Sequence, residues 1–203
     1  MRLQDLMINV LAFVLVLVTV EASWAEGSPQ YKVVMSKNDR VCGHVREVLN
    51  KGLQQYGVEY HTGKFMNAIF SAISWKPIGM EEGFDYGGDM ARFDINNDGQ
   101  VDVVVRLETS GGKDINFMKL FVFDDAGFSR VGKSNRNLEE KSVGSVDASF
   151  VYIYPFIFDQ TTYLLLMPSP DRMEPTKFWV EQYKGGKVGY GSHDRLGNVC
   201  FIQ

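Results

Sequence analysis

The chain has 203 residues, with 21 basic and 25 acidic side chains, a formal net charge of -4 and 45% hydrophobic residues. This composition is that of a globular protein long enough to bury a real core. The net negative charge, without a basic stripe, argues against a nucleic-acid partner, and no polybasic patch suits an anionic membrane surface.

Residues 1–25 have the organisation of a secretory signal peptide. Arg2 supplies the positive start, residues 6–20 form an apolar run, and small residues precede a cleavage point after Ala25. The apolar run of about 15 residues is shorter than the ~20 that a helix needs to cross a bilayer. We therefore expect a periplasmic or secreted protein without stable membrane insertion after cleavage, in which residues 26–203 form a single domain. An uncleaved membrane anchor is the alternative.

The two cysteines are predicted to form a disulfide bond, because cysteine pairs in exported proteins are usually oxidised. Cys42 lies near the start of the mature chain and Cys200 near its end. A bridge between them would close nearly the whole domain into one loop, with a chain-entropy gain of at most about 4–5 kcal/mol. Two separate thiols are the alternative. Neither cysteine belongs to a Cys-x-x-Cys motif, so redox catalysis has no support.

The first predicted elements of the mature chain are helical. Residues 36–50 are predicted to form a helix, with Ser36 and Asp39 in the spacing of a capping box and an apolar face along the helix. Gly52 and Gly57 are predicted to end it. Residues 65–75 fit either a second helix or a strand.

From Met90 onward the pattern predicts β-structure. Residues 124–127 and 184–187 resemble hairpin connections, and residues 132–148 are polar and predicted to be a loop. The aromatic residues that alternate over 150–158 favour a strand covered on both faces, as in the centre of a sheet, although Pro155 favours an edge position or a bulge. The fold class is therefore α+β, a mainly antiparallel β meander preceded by one or two N-terminal helices. The predicted strands cover residues 90–94, 101–108, 117–123, 149–157, 161–167, 177–183 and 197–202.

The segment from residue 94 to residue 102 has the donor pattern of a cation-binding loop. Side-chain oxygens recur at Asp94, Asn96 and Asp98, the Gln100 carbonyl is placed to donate a backbone oxygen, and Asp102 adds another carboxylate. Calcium takes six to eight oxygen ligands at ~2.3–2.6 Å, and a short loop can supply them by curling its side chains inward. Gly99 permits the sharp bend. The pattern therefore predicts a calcium site.

Two other kinds of loop fit this segment less well. An EF-hand requires a bidentate Glu at the twelfth position, where this chain has Val105, and helices on both sides, whereas residues 101–107 favour a strand. An ordinary tight turn would also contain Asn, Asp and Gly, but four side-chain donors exceed what a turn needs. The surrounding acidic residues would repel one another unless they are solvated or neutralised by a cation. Residues 81–102 contain Arg92 and seven acids: Glu81, Glu82, Asp85, Asp89, Asp94, Asp98 and Asp102.

The pattern Asp94-x-Asn96-x-Asp98-Gly99-x-x-Asp102, followed by a hydrophobic strand, resembles the calcium loop of FG-GAP/VCBS repeats in integrin-α-type β-propellers. The resemblance covers residues 91–123. It implies calcium ligation by the four named Asp and Asn side chains and by the Gln100 backbone carbonyl. A full propeller needs several four-stranded blades, and no second loop recurs at a fixed period. A partial-propeller-like arrangement is expected instead, in which meanders near 90–123 and 149–202 resemble two blades.

The sequence favours binding over catalysis. The histidines, His44, His61 and His193, have no zinc spacing with each other or with cysteine, and a nucleophile-elbow motif is absent. The favoured hypothesis is an exported, non-enzymatic calcium-binding domain that serves as a protein-binding or envelope accessory module. The alternative is a periplasmic inhibitor or immunity-type protein that acts on a hydrolase. A hydrolase that uses the acidic cluster is a third hypothesis.

Overall fold

In the computed structural model, the described residues form one long helix, two short helices and two β-sheets. The model describes residues 30–57, 73–78, 88–110, 116–129, 135–147, 151–168, 177–189 and 196–203. The helices are α1 (Asp39–Tyr56), α2 (Asp125–Phe128) and α3 (Asn135–Lys141). The strands are β1 (Val33–Ser36), β2 (Lys76–Ile78), β3 (Gly88–Phe93), β4 (Asp102–Ser110), β5 (Asn116–Phe123), β6 (Gly144–Asp147), β7 (Val151–Phe158), β8 (Thr161–Pro168), β9 (Phe178–Tyr183), β10 (Lys187–Val188) and β11 (Leu196–Ile202).

Helix α1 begins later and ends later than its sequence pattern predicts. Asn38 is the N-cap, and its side chain accepts hydrogen bonds from the backbone N–H groups of Arg40 and Val41. Ser36 belongs to β1 and donates its hydroxyl proton to Asp39 at 2.6 Å, which favours the start of the helix without being part of it. The helix continues through buried Gly52, and Gly57 ends it with a φ of 64°.

The strands form two sheets that correspond to the two predicted meanders. Sheet A has the order β1-β11-β9-β8-β7, and sheet B has the order β10-β6-β5-β4-β3-β2. Strands β2 to β6 are successive antiparallel neighbours in sheet B, and β7 to β9 are successive antiparallel neighbours in sheet A. The predicted α+β class is confirmed, as are all seven predicted strands. Strand β7, which contains Pro155, is an outer strand, where a missing N–H is tolerated.

Three predicted connections are wrong. Residues 124–127 lead into the short helix α2, capped by the Asp124 side chain, and do not close a hairpin. Residues 132–148 contain α3 and β6, because the main chain of β6 pairs with β5 on one side and β10 on the other. Residues 184–187 do not return the chain to β9. They lead to β10, which pairs in parallel with β6 of the other sheet, with Val188 opposite Val146.

The main core lies where α1, sheet A and one face of sheet B pack together. Val45 of α1, Leu164 of β8 and Val104 of β4 are all fully buried in it. Alternation along β4 sends Val103 and Val105 to the other face of sheet B, into a second cluster covered by Leu138 of α3. Sheet B is thus apolar on both faces, which explains its continuous run of valines.

The predicted disulfide bond is present and connects α1 to sheet A. Cys42 and Cys200 are bonded, their Cα atoms lie 5.7 Å apart, and both residues are buried. The bond joins the first turn of α1 to β11, across 158 residues of sequence. Covalent closure of so long a loop restricts the unfolded chain strongly.

Several sequence predictions lie outside the described residues. These are the signal segment 1–25, most of the ambiguous segment 65–75, the acids Glu81, Glu82 and Asp85, and the histidines His61 and His193. Among the helices that the structure describes, none combines the length and apolarity needed to cross a membrane.

Candidate functional site

The predicted calcium loop connects β3 to β4 at one end of sheet B. Phe93 and Asp102 are paired residues at the ends of these strands, so the loop closes between neighbouring strands. Two residues with positive φ reverse the chain, Asn97 at 60° and Gly99 at 86°. Asn and Gly are the residues that adopt this backbone region at least cost. The local sequence therefore builds a tight loop between the two strands.

Three of the predicted ligands turn their side chains into the loop. Both carboxylate oxygens of Asp94 accept backbone hydrogen bonds, from the Asp98 N–H at 3.1 Å and the Gly99 N–H at 2.7 Å. The Asn96 side chain accepts from the Asp98 N–H and donates to the Asp98 carboxylate, each at 3.0 Å. Asp98 accepts from the Gln100 N–H at 2.8 Å. The ligating role of the Gln100 carbonyl stays a prediction.

Asp102 is the buried member of the group. The residue is 8% exposed, and its carboxylate accepts a hydrogen bond from the Ile95 N–H at 3.2 Å. Burial raises the pKa of Asp102 above its ordinary value of 3.8, and the Ile95 hydrogen bond opposes this rise. The negative charges of neighbouring aspartates raise the pKa further. In order of effect they are Asp98, Asp94 and Asp124.

Asp124 is a neighbour that the sequence analysis missed. It follows β5, whose last residue Phe123 pairs with Val103 of β4, and this register brings Asp124 beside Asp102 across the sheet. Its side chain also accepts a hydrogen bond from the Gly127 N–H and caps α2. The signal that would have located it is the pairing of β4 with β5, since the two aspartates are far apart in sequence.

The donor chemistry suits calcium, but the side chains do not stand in a ligating arrangement. In the part of the chain that the structure describes, no three Asp, Glu, His or Cys side chains are grouped so that they could hold a metal ion as they stand. The oxygens of Asp94 and Asp98 accept backbone N–H groups. Each of these carboxylates keeps further lone pairs that could bind a cation. Carboxylate, amide and carbonyl oxygens are the donors that calcium prefers.

Comparisons with protein-family models, with curated proteins and with solved structures found no match to this chain. The resemblance of residues 91–123 to an FG-GAP/VCBS loop therefore stays a prediction from the sequence.

Proposed function

We propose that this chain is an exported, non-enzymatic domain that binds calcium at residues 94–102 and acts by binding another protein. The observation that carries the calcium proposal is the environment of Asp102. A buried carboxylate is normally paired with a cationic group. Among the described residues, Asp102 has no basic partner within ion-pair distance and three aspartates near enough to raise its pKa. A bound divalent cation would supply the missing positive charge.

The role of each residue follows from its position in the loop. Asp102 is buried and accepts a hydrogen bond from the Ile95 N–H, so it would be a carboxylate ligand that is already held in place. Asp94 and Asp98 are more exposed, accept backbone N–H groups and would direct their remaining lone pairs toward the ion. Asn96 would contribute a neutral oxygen. Gly99 lets the Gln100 carbonyl approach the same point.

Thermal unfolding of the oxidised protein tests this proposal. After chelation, millimolar calcium is expected to raise the unfolding midpoint. Ligand at a hundred times its dissociation constant stabilises the native state by ~2.7 kcal/mol. For a domain of this size that corresponds to about 5–10 °C. The Asp94→Ala/Asp98→Ala variant is expected to lose the rise.

The matched control is Glu47→Ala/Glu139→Ala, which removes the same formal charge from exposed positions outside the loop. It is expected to keep the calcium-dependent rise. A wild type without any rise, or an equal rise in the Asp94→Ala/Asp98→Ala variant, would contradict calcium binding at this loop. Magnesium should give a smaller rise, since it demands a stricter octahedral shell and gives up its water reluctantly.

The protein-binding half of the proposal has its own test. A partner captured on the immobilised, oxidised protein in calcium is expected to be released by chelator and to bind the Asp94→Ala/Asp98→Ala variant weakly. A partner that is retained equally in chelator would separate protein binding from the loop.

A further inference from the structure

The loop at 94–102 is hydrogen-bonded to the other sheet at Thr162 of β8. The Asn97 side chain accepts a hydrogen bond from the Thr162 N–H at 2.7 Å and donates one to the Thr162 carbonyl at 3.1 Å. The Thr162 hydroxyl donates to the Asp94 carbonyl at 2.6 Å. Thr162 is 3% exposed whereas Asn97 is exposed, so these bonds are partly buried. We call this set of three hydrogen bonds the Asn97–Thr162 clamp.

The clamp places two demands on residue 97, and asparagine meets both. The backbone is in the left-handed region, with φ at 60°, which Asn tolerates better than most residues. The side chain must also offer one donor and one acceptor to the same backbone residue, as a carboxamide does and a carboxylate does not. Glycine would satisfy the backbone but not the hydrogen bonds. Substitution by glycine therefore separates the two demands.

Thr162 is the second residue of β8, which follows the turn that joins β7 to β8. That turn consists of Asp159 and Gln160, which both have positive φ. The turn and the residue before it contact helix α1: Asp159 pairs with Arg40 at 2.8 Å, and the Phe158 ring stacks on His44 with centroids 4.8 Å apart. The tip of this hairpin is therefore held by the loop on one side and by α1 on the other.

We infer that Asn97 couples the state of the 94–102 loop to the tip of the β7–β8 hairpin, so that a cation in the loop orders residues 158–162. This inference rests on the proposed calcium binding. The residues that would bind the ion, Asp94 and Asp98, enclose Asn97, and Asp94 also accepts the Thr162 hydroxyl through its carbonyl. A bound cation would restrict the motion of the loop, so the hydrogen bonds of the clamp would break less often. Coupling of this kind is reciprocal, so holding the hairpin tip also favours cation binding.

Hydrogen exchange read by peptide tests the coupling in the oxidised protein, with chelator and with calcium chloride. In wild type, calcium is expected to slow exchange in peptides covering 94–101 and 156–164. In Asn97→Gly, calcium is expected to slow the first peptide while the second loses its response. The slowing lost from the second peptide should be at least about fivefold in exchange rate, because Asn97→Gly removes two side-chain hydrogen bonds and the net contribution of each is of this order.

Gln160→Gly is the matched control. It also places glycine at a left-handed position, with φ at 64°, and the Gln160 side chain makes no hydrogen bond to the residues that the structure describes. This variant is expected to keep the calcium response of both peptides. Equal slowing of the hairpin peptide in Asn97→Gly and wild type would overturn the inference, as would slowing of the loop peptide alone in wild type.

Failure of calcium binding gives a different result, in which calcium slows neither wild-type peptide. The chelator arm then decides whether the clamp couples the two segments. Faster exchange of the hairpin peptide in Asn97→Gly than in wild type and Gln160→Gly would support the coupling. Equal exchange in all three proteins would overturn it.

Discussion

Strand β4 carries two buried charged side chains on the same face, and the charges that surround them differ. Asp102 and Arg106 are four residues apart, so both side chains leave the strand on the face that packs toward the main core. Arg106 is 5% exposed, forms an ion pair with Asp89 at 2.5 Å, and lies over the Trp75 ring at 4.3 Å. Asp102 is 8% exposed and is surrounded by other carboxylates.

The two side chains differ in whether the neighbouring strand provides an opposite charge. Asp89 lies opposite Arg106 on β3, so strand pairing alone brings the two charges together. The residue opposite Asp102 on β3 is Phe93, which cannot compensate a charge. The loop that follows Phe93 adds Asp94 and Asp98, which make the environment more negative. Arg106 therefore has its counter-charge within the fold. At Asp102, a bound cation would lower the free energy of the folded state.

The largest expected effect on the free energy of unfolding comes from breaking the Arg106–Asp89 ion pair. Arg106→Met should destabilise the protein by about 2–4 kcal/mol, because it leaves the Asp89 carboxylate without its partner and removes the contact with Trp75. Chemical denaturation of the oxidised protein measures this. Arg92→Met is the control, since Arg92 pairs with Asp125 at the surface and its loss should cost less than about 1 kcal/mol. Equal losses in the two variants would show that burial does not distinguish them.

The next largest expected effect is that of Asp102→Asn, whose change in the free energy of unfolding should reverse its sign when calcium is added. Asp102→Asn removes the buried charge and keeps an oxygen that can accept the Ile95 N–H. In chelator it should stabilise the protein on the order of 1 kcal/mol. In saturating calcium it should be less stable than wild type, because the ion loses a charged ligand. Denaturation under both conditions gives the two differences.

Asp147→Asn is the matched control for this substitution. Asp147 is half-buried and pairs with Lys119 at 3.1 Å, so it is a compensated carboxylate. Its replacement should destabilise the protein slightly in chelator and should not depend on calcium. A destabilised Asp102→Asn protein in chelator would contradict the claim that the Asp102 charge is uncompensated.

The smallest effect is a pH dependence of opposite sign in the two conditions. The folded-state pKa of Asp102 is raised above 3.8, so the folded protein takes up this proton before the unfolded chain does. In chelator, the Asp102 contribution to stability should therefore rise as pH falls through the folded pKa toward about 4. In calcium it should fall over the same range, because protonation competes with the ion. The difference between wild type and Asp102→Asn at each pH isolates this contribution.

Most long elements of the fold were accessible from local pattern. Helix α1 and the seven longer strands follow from apolar periodicity, and the two cysteines were paired correctly because they were the only candidates in the sequence. The missed strands are short. Strand β10 has two residues, and β6 has the sequence Gly-Ser-Val-Asp, which favours a turn by itself. It is a strand because β5 and β10 provide partners on both sides.

The candidate site also has features that the sequence predicts and features that it does not. The spacing of Asp94, Asn96, Asp98 and Asp102 was readable from the sequence, and so was the bend at Gly99. The proximity of Asp124 was not, because it depends on the register of β4 with β5. The clamp at Thr162 was not readable either, since it joins residues 65 positions apart.

The sequence by itself determined the types of the longer elements, the cysteine pair and the oxygen donors of the loop. These depend on side-chain periodicity, backbone preference and spacing between near neighbours, which any short window of the chain contains. The tertiary structure alone decided that Arg106 has a counter-charge, that Asp102 is buried beside Asp124, and that the loop is bonded to the opposite sheet. Charge compensation and clamping depend on which distant strands become neighbours, and that is set by the packing of the whole chain around its core.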